Sequence, residues 1–109
     1  MTQEIFGSKW QDEVYAIALE NPDVDLTQNG TETLIVRALF KGAVAPQRKD
    51  NSNFTFAVVG APASTATGTA VGANTGVITA GPTDGTAVIS VTLTGYANVP
   101  PAYATVTVD

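Results

Sequence analysis

The sequence has neither cysteine nor histidine among its 109 residues. Without cysteine there is no disulfide framework and no thiol chemistry, so the fold must depend on packing alone. Without histidine, the commonest general base and the commonest metal ligand are both missing. Acyl transfer would then need a serine or threonine activated by lysine, and no serine stands in a motif of that kind. We therefore expect no catalytic residues, no cofactor and no metal ion.

Charged side chains are also scarce, at 14% of the chain, against roughly 25% in an average soluble domain. Ten acidic residues against five basic ones give a net charge of −5. A phosphate backbone is bound by clustered lysine and arginine, and here only Arg48 and Lys49 are adjacent. Nucleic acid is therefore excluded from the expected partners.

Long apolar runs are missing as well, because no run approaches the roughly 20 residues that span a bilayer. The first residues, MTQEIFGSKWQDE, lack the basic start, the apolar stretch and the small-residue cleavage site of a secretory signal. We expect no membrane insertion. We also expect a protein made and left in the cytoplasm, unless the chain was cut from a longer exported protein.

The residues that are abundant favour strands. Hydrophobic residues make up 44% of the chain, and threonine, alanine, glycine and valine replace the missing charges. Apolar side chains alternate over 15–20, 32–41, 53–59, 86–94 and 103–108, with turn residues between. Weaker strands are predicted along an edge at 24–26, near 69–71 and at 77–79, and the polar run within 42–53 predicts a long loop. The alternation over 86–94 is the cleanest, with Ala87, Ile89, Val91 and Leu93 directed inward. About seven short strands, spaced by roughly 8–12 residues, predict an all-β sandwich.

The first 13 residues differ from the rest because they show no strand period. They contain Phe6 and Trp10, which are four residues apart and would meet on one helical turn. We interpret 1–13 as an N-terminal arm and 14–109 as one β-sandwich domain. Two large apolar side chains need cover, so we expect the arm to pack on the domain or on a neighbouring chain. The alternative is a poorly ordered terminus.

The domain over 14–109 resembles the second group of bacterial Ig-like domains, a module common in adhesins and phage structural proteins. The resemblance is carried, in order, by the segments LTQNG (26–30), FTF (54–56), NTGVITA (74–80), GTAVISV (85–91) and ATVTV (104–108). Phe56 stands where the family usually has tryptophan, and the stretch 60–73 is longer and richer in glycine than the family pattern. The resemblance implies an immunoglobulin-like β-sandwich without catalytic residues.

Three residues on the strand 32–41 are candidates for partner contact. If Leu34, Val36, Ala38 and Phe40 fill the core, then Ile35, Arg37 and Leu39 face outward. Two apolar side chains on one outer strand face of a protein so poor in charge indicate a covered patch. The cover is either another chain or the arm of the same chain.

Other polar and aromatic groups give weaker signals. Asp23 and Asp25 are two residues apart, and with Glu20 they offer a weak Ca²⁺ site, although turn capping and solubility explain them better. The three tyrosines, Tyr15, Tyr96 and Tyr103, form no visible sugar platform in the sequence.

Together these features predict a non-enzymatic structural protein of a phage virion. Its expected role is a capsid decoration (cement) protein or another head or tail accessory. It would attach through the arm (Phe6, Trp10) and the outer strand face (Ile35, Arg37, Leu39). The expected partners are capsid or tail proteins and copies of itself. The alternative is a single Ig-like repeat of an adhesin or glycan-binding protein at the bacterial cell surface, with a host-surface glycan as a further partner.

Overall fold

The computed structural model of the chain describes residues 9–59 and 65–109. Phe6 lies outside these residues. Within them the chain is all-β, as the sequence predicts, with ten strands and two short 3₁₀ turns at Trp10–Glu13 and Asn51–Asn53. The strands are β1 (Val14–Leu19), β2 (Asp23–Leu26), β3 (Thr31–Thr33), β4 (Val36–Phe40), β5 (Gln47–Arg48), β6 (Phe54–Val58), β7 (Ala70–Val71), β8 (Val77–Thr79), β9 (Gly85–Leu93) and β10 (Ala102–Val108).

The ten strands form three sheets, an arrangement compatible with a β-sandwich. The large sheet has the order β2-β10-β9-β6, the small sheet has the order β1-β4-β5, and the third sheet has the order β3-β8-β7. Every pair is antiparallel except β2 with β10, which is parallel. The separation of β2 and β10 along the chain permits this parallel pairing, because parallel neighbours cannot be joined by a tight hairpin.

The large sheet follows the predicted alternation closely. Ala87, Ile89 and Val91 of β9 are fully buried, and Ala104 of β10 lies opposite Ile89. Val24 of the predicted edge strand is also buried. One face of this sheet therefore fills the core, while the other carries threonine and serine to the surface.

The predicted continuous strand over 32–41 is wrong in one respect, because it is broken at Leu34 and Ile35. The part before the break is β3, which pairs with β8, and the part after it is β4, which pairs with β1. The side chain of Asn21 bridges the break: its Oδ1 accepts from the Ile35 amide at 2.9 Å, and its Nδ2 donates to the Thr33 carbonyl at 3.0 Å. The chain thus passes from one sheet to another while the alternation of side chains continues.

The alternation predicted for 15–20 is wrong at its start, because β1 begins with a β-bulge. The register shifts between Val14 opposite Phe40 and Ala16 opposite Leu39, so Tyr15 is the extra residue. Tyr15 is consequently 54% exposed, while Val14 takes the core position that an unbroken period would have given to Tyr15.

One loop prediction changes and one weak strand prediction is confirmed. The stretch 42–53, predicted as a long loop, contains β5 and the 3₁₀ turn Asn51–Asn53. The weak strand predicted at 69–71 is present as β7. The count of about seven strands is not confirmed, since the described residues contain ten.

The core is built around Phe54 and Phe56, whose rings meet edge to face at 6.5 Å. Gly76 adjoins this pair with φ of +68°, and a Cβ there would lie 2.9 Å from Phe56 Cζ. Only glycine satisfies both the positive φ and the close approach to the ring. Phe56, at the position where the resembled family usually has tryptophan, is one of the two buried rings of this core.

Candidate functional site

The predicted contact residues Ile35, Arg37 and Leu39 lie on or next to β4, in the middle of the small sheet. All three are half-buried, and they alternate with Leu34, Val36, Ala38 and Phe40, which are buried in the core. Leu39 lies opposite Ala16, and Arg37 lies opposite Ala18. Ile35, Leu39, Ala16 and Ala18 therefore give this face of the small sheet a mainly apolar surface.

An ion cluster crosses the same face. Arg37 Nε donates to Glu20 Oε2 at 2.6 Å, and Arg48 donates to both oxygens of the same carboxylate, with Nη2 at 2.6 Å from Oε1. These bonds, that from Arg48 being the stronger cause, lower the pKa of Glu20 to about 2. Because both guanidinium groups donate to the Glu20 carboxylate, the cluster fixes their positions on the surface of the small sheet.

Trp10, the arm residue within the described part, packs on the domain. Its ring meets that of Phe40 edge to face at 6.3 Å, and Lys49 Nζ lies 4.7 Å from the centroid of the Trp10 ring. Beside the two rings is a small pocket of about 220 Å³, also lined by Glu13, Lys41, Val44 and Gln47.

The first 3₁₀ turn is tied to the loop between β9 and β10. Tyr96 Oη donates to Asp12 Oδ1 at 3.0 Å, and the Lys9 amide donates to Asp12 Oδ2 at 3.0 Å. The hydrogen bond from the Lys9 amide and then that from Tyr96 lower the pKa of Asp12. The Asp12 carboxylate in turn raises the pKa of Tyr96. The ring of Tyr96 is thereby held in one orientation.

Charge is segregated between the two sides of the molecule. The basic residues lie on the strands of the small sheet or in segments joined to them, namely Lys9, Arg37, Lys41, Arg48 and Lys49. The strands of the large sheet contain no lysine or arginine, and their charged residues are Asp23 and Asp25 on β2. The two outer faces therefore suit partners of different chemistry.

A groove at one end of the outer face of the large sheet was missed at the sequence level. It has a volume of about 540 Å³. Its lining consists of threonines on β6, β9 and the adjoining turn, together with residues of the loop that precedes β10. The lining residues are Thr55, Thr92, Leu93, Thr94, Gly95, Tyr96, Ala97, Val99 and Pro101. The outward threonines follow from the alternation, but only the fold places the loop residues beside them.

The three carboxylates considered for Ca²⁺ do not form one group in the part of the chain that the structure describes. Asp23 and Asp25, which precede and follow the buried Val24 on β2, are both exposed. Glu20 is bound by two arginines. Over residues 9–59 and 65–109 there is no group of three or more acidic, histidine or cysteine side chains that could hold a metal ion. None of the helical segments in this part of the chain is long and apolar enough to cross a membrane.

The chain was compared with protein families and with curated protein sequences. A scan against protein-family models gives no match, and no curated protein sequence matches the chain either.

Proposed function

We propose that the domain is an immunoglobulin-like β-sandwich in which β3 and β4 are two halves of one interrupted strand. With that reading, β1, β3/β4, β8 and β7 make one sheet in the order A-B-E-D, and β6, β9 and β10 make the other in the order C-F-G. Seven strands then account for the architecture. The strands β2 and β5 are additions at the edges, β2 pairing with the last strand.

We further propose that the protein is a non-enzymatic structural component of a phage virion, a capsid decoration protein or another head or tail accessory. We assign the attachment surface to the outer face of the small sheet because of two apolar side chains on it. Ile35 and Leu39 are half-buried there but are not among the apolar side chains that pack against the core of the described residues. Their burial by a partner would contribute stabilisation of about 25 cal/mol per Å² of apolar surface.

The ion cluster suits this face to docking. Because Arg37 and Arg48 are already paired with Glu20, a partner would not need to supply a counter-charge for each guanidinium. Covering an unpaired buried charge would cost several kcal/mol. Weak contacts of this kind become effective when many copies bind one particle, since linked binding events raise the overall affinity.

The experiment compares attachment to virus particles between two double variants. Particles of the phage that encodes the chain, stripped of it, are incubated with purified protein, and occupancy is measured by cosedimentation. We expect Ile35→Ser with Leu39→Ser to lower the apparent affinity by at least about tenfold. The matched control, Val88→Ser with Tyr103→Ser, makes the same type of change on the large sheet and should bind fully.

Equal occupancy for both double variants would show that the small sheet is not the attachment surface. Absence of the chain from purified virions, measured by mass spectrometry, would refute the virion role itself.

A second candidate is a single Ig-like repeat of a bacterial surface adhesin or glycan-binding protein. The uncharged, hydroxyl-lined groove on the large sheet favours it. A coding sequence that continues into a long exported chain of such repeats would select this candidate over the virion protein.

A further inference from the structure

The groove on the large sheet is open at the surface, and backbone hydrogen bonds hold the loop that lines it. Thr94 N donates to the Asn53 carbonyl at 3.1 Å, Tyr96 N donates to the Leu93 carbonyl at 3.1 Å, and Val99 N donates to the Tyr96 carbonyl at 3.0 Å. The first bond ties the turn after β9 to the residue before β6, and the other two fix the local course of the loop between β9 and β10. The groove is therefore formed before any ligand arrives, as is usual for small-molecule sites.

The lining combines an apolar base with hydroxyl groups. Leu93 and Val99 are buried, and Pro101 is exposed beside them. Thr55 and Thr94 share a hydrogen bond of 2.7 Å between their hydroxyls, and the Thr92 hydroxyl makes only a long contact of 3.5 Å to the Thr55 carbonyl. Hydroxyls of this kind can both donate to and accept from a ligand that itself carries hydroxyls.

Two tyrosine rings adjoin this surface. Tyr96 lines the groove, with its hydroxyl bound to Asp12. Tyr103 lies two residues beyond Pro101, opposite Ser90 on β9, and is 57% exposed. An exposed aromatic ring offers a flat apolar face whose ordering loses little conformational entropy, since only two side-chain torsions are fixed.

Among the residues that the structure describes, no charged side chain lines the groove, and the charged residues on the strands of the large sheet are Asp23 and Asp25. A polyanion such as a nucleic acid, a sulfated glycan or a sialylated glycan would find no cation in this lining to pair with. A strongly apolar ligand would leave the exposed threonine hydroxyls without partners. The chemistry that fits both limits is a neutral, hydroxyl-rich molecule with apolar faces.

We propose that this groove, extended along the sheet to Tyr103, is a binding site for a neutral oligosaccharide. Sugar rings present apolar C–H faces to the aromatic and apolar surface and hydroxyls to Thr92 and Thr94. The site lies on the sheet opposite to the proposed attachment face and does not depend on it. A chain fixed to a particle by its small sheet would hold this groove toward the surroundings.

The test is a titration of the full chain followed by ¹H–¹⁵N NMR. The probes are maltohexaose, cellohexaose and chitohexaose, with a heparin hexasaccharide as the anionic comparison. We expect at least one neutral probe to bind with Kd of about 1 mM or tighter, with amide shifts concentrated at 92–96 and 101–104. Thr92→Val, which removes one hydroxyl at nearly constant volume, and Tyr103→Ala should each weaken binding by about tenfold.

Tyr15→Ala is the matched control, because Tyr15 is 54% exposed against 57% for Tyr103 but lies on the small sheet. It should leave the affinity unchanged, and thermal melts should show that all three variants stay folded. The proposal is overturned if no neutral probe shifts any amide up to about 10 mM, if the shifts map to the small sheet, or if heparin binds as tightly as the best neutral probe.

The outcome is separate from that of the attachment experiment. Ile35→Ser with Leu39→Ser should keep saccharide binding intact even where it abolishes binding to particles. Loss of both activities in that variant would mean that one surface serves both, and would contradict the assignment of the groove.

Discussion

The outer faces of the small and large sheets use polar side chains in different ways. On the small-sheet side they bind each other and the backbone: Glu20 holds Arg37 and Arg48, and Asn21 bridges the break between β3 and β4. On the large sheet, Ser90 and Thr92 make only long contacts of 3.4 and 3.5 Å to neighbouring carbonyls. Polar groups therefore maintain the architecture on one side, whereas on the other the hydroxyls of Ser90 and Thr92, unlike the paired hydroxyls of Thr55 and Thr94, remain available to a ligand.

This contrast separates stability from binding. Where a side chain closes a gap in the backbone hydrogen bonding, its loss leaves buried donors and acceptors unsatisfied. Where it stands on a regular strand, the sheet is complete without it. Substitutions should consequently reduce stability mainly on one side and ligand binding mainly on the other.

The largest expected effect comes from the core that both faces share. Phe56 is 2% exposed and packs against Phe54, so Phe56→Ala should lower the free energy of unfolding by about 3–5 kcal/mol. Urea titration measures this loss, and Tyr103→Ala serves as the surface control. A similar small loss for both variants would show that the two sheets do not enclose a common core.

The next effect is expected at the sheet break. Asn21→Ala removes three hydrogen bonds, to the Ile35 amide, the Thr33 carbonyl and Glu32 Oε2. Because some of these groups are partly buried, we expect a loss of about 1–3 kcal/mol in chemical unfolding. Asn98→Ala, an exposed loop change, should stay within about 0.5 kcal/mol of the native protein. An equal loss in the free energy of unfolding for the two variants would show that Asn21 does not stabilise the break between β3 and β4.

A smaller and pH-dependent effect is expected at the ion cluster. The folded pKa of Glu20 is lowered from 4.5 to about 2, so its stabilisation is present above pH 4.5 and is lost as the pH falls toward 2. Glu20→Gln should therefore narrow the difference between melting temperatures at neutral and low pH. Part of the acid sensitivity should persist, since the Lys9 and Ser52 amides also lower the pKa values of Asp12 and Asp50.

Thermal melts between pH 2 and 7 follow this difference, with Glu13→Gln as a control outside the cluster. An unchanged acid response in Glu20→Gln would mean that the two arginines gain nothing from the carboxylate. High salt should reduce the contribution in the native protein, because the cluster lies at the surface.

The smallest effect is expected on the large sheet. Thr92→Val replaces an exposed hydroxyl that makes only a 3.5 Å contact by a methyl group, and valine is also well suited to strands. The free energy of unfolding should change by less than about 0.5 kcal/mol. A loss above about 1 kcal/mol, seen in the same urea titration, would show that the hydroxyl row is structural and would erase the contrast between the two faces.

The large sheet was predictable because its strands obey a local rule. Residues such as Ile89 and Val106 alternate with polar neighbours, and the period of two is sufficient to assign each to the core. The split of the strand over 32–41 was not predictable in this way. It depends on Asn21, whose side chain reaches a backbone amide 14 residues later. The bulge at Tyr15 likewise reflects pairing with β4 rather than local preference.

The candidate sites likewise combine features that local alternation predicts with features that only the fold creates. The outward direction of Ile35, Arg37 and Leu39 followed from alternation, whereas the pairing of Arg37 with Glu20 required the fold. The groove was hidden for a similar reason. Thr55, Thr94 and Tyr96 are far apart or unremarkable in sequence, and only the folded loop places them around one space.

The parallel pairing of β2 with β10 has a mechanical consequence. Four residue pairs, from Asp23 with Thr105 to Leu26 with Val108, join an early strand to the last one. A tension applied before β2 and after β10 would load these hydrogen bonds in shear, all together, rather than opening them one after another like a zipper. A module exposed to flow or to the pull of an attached cell would resist extension at this seam.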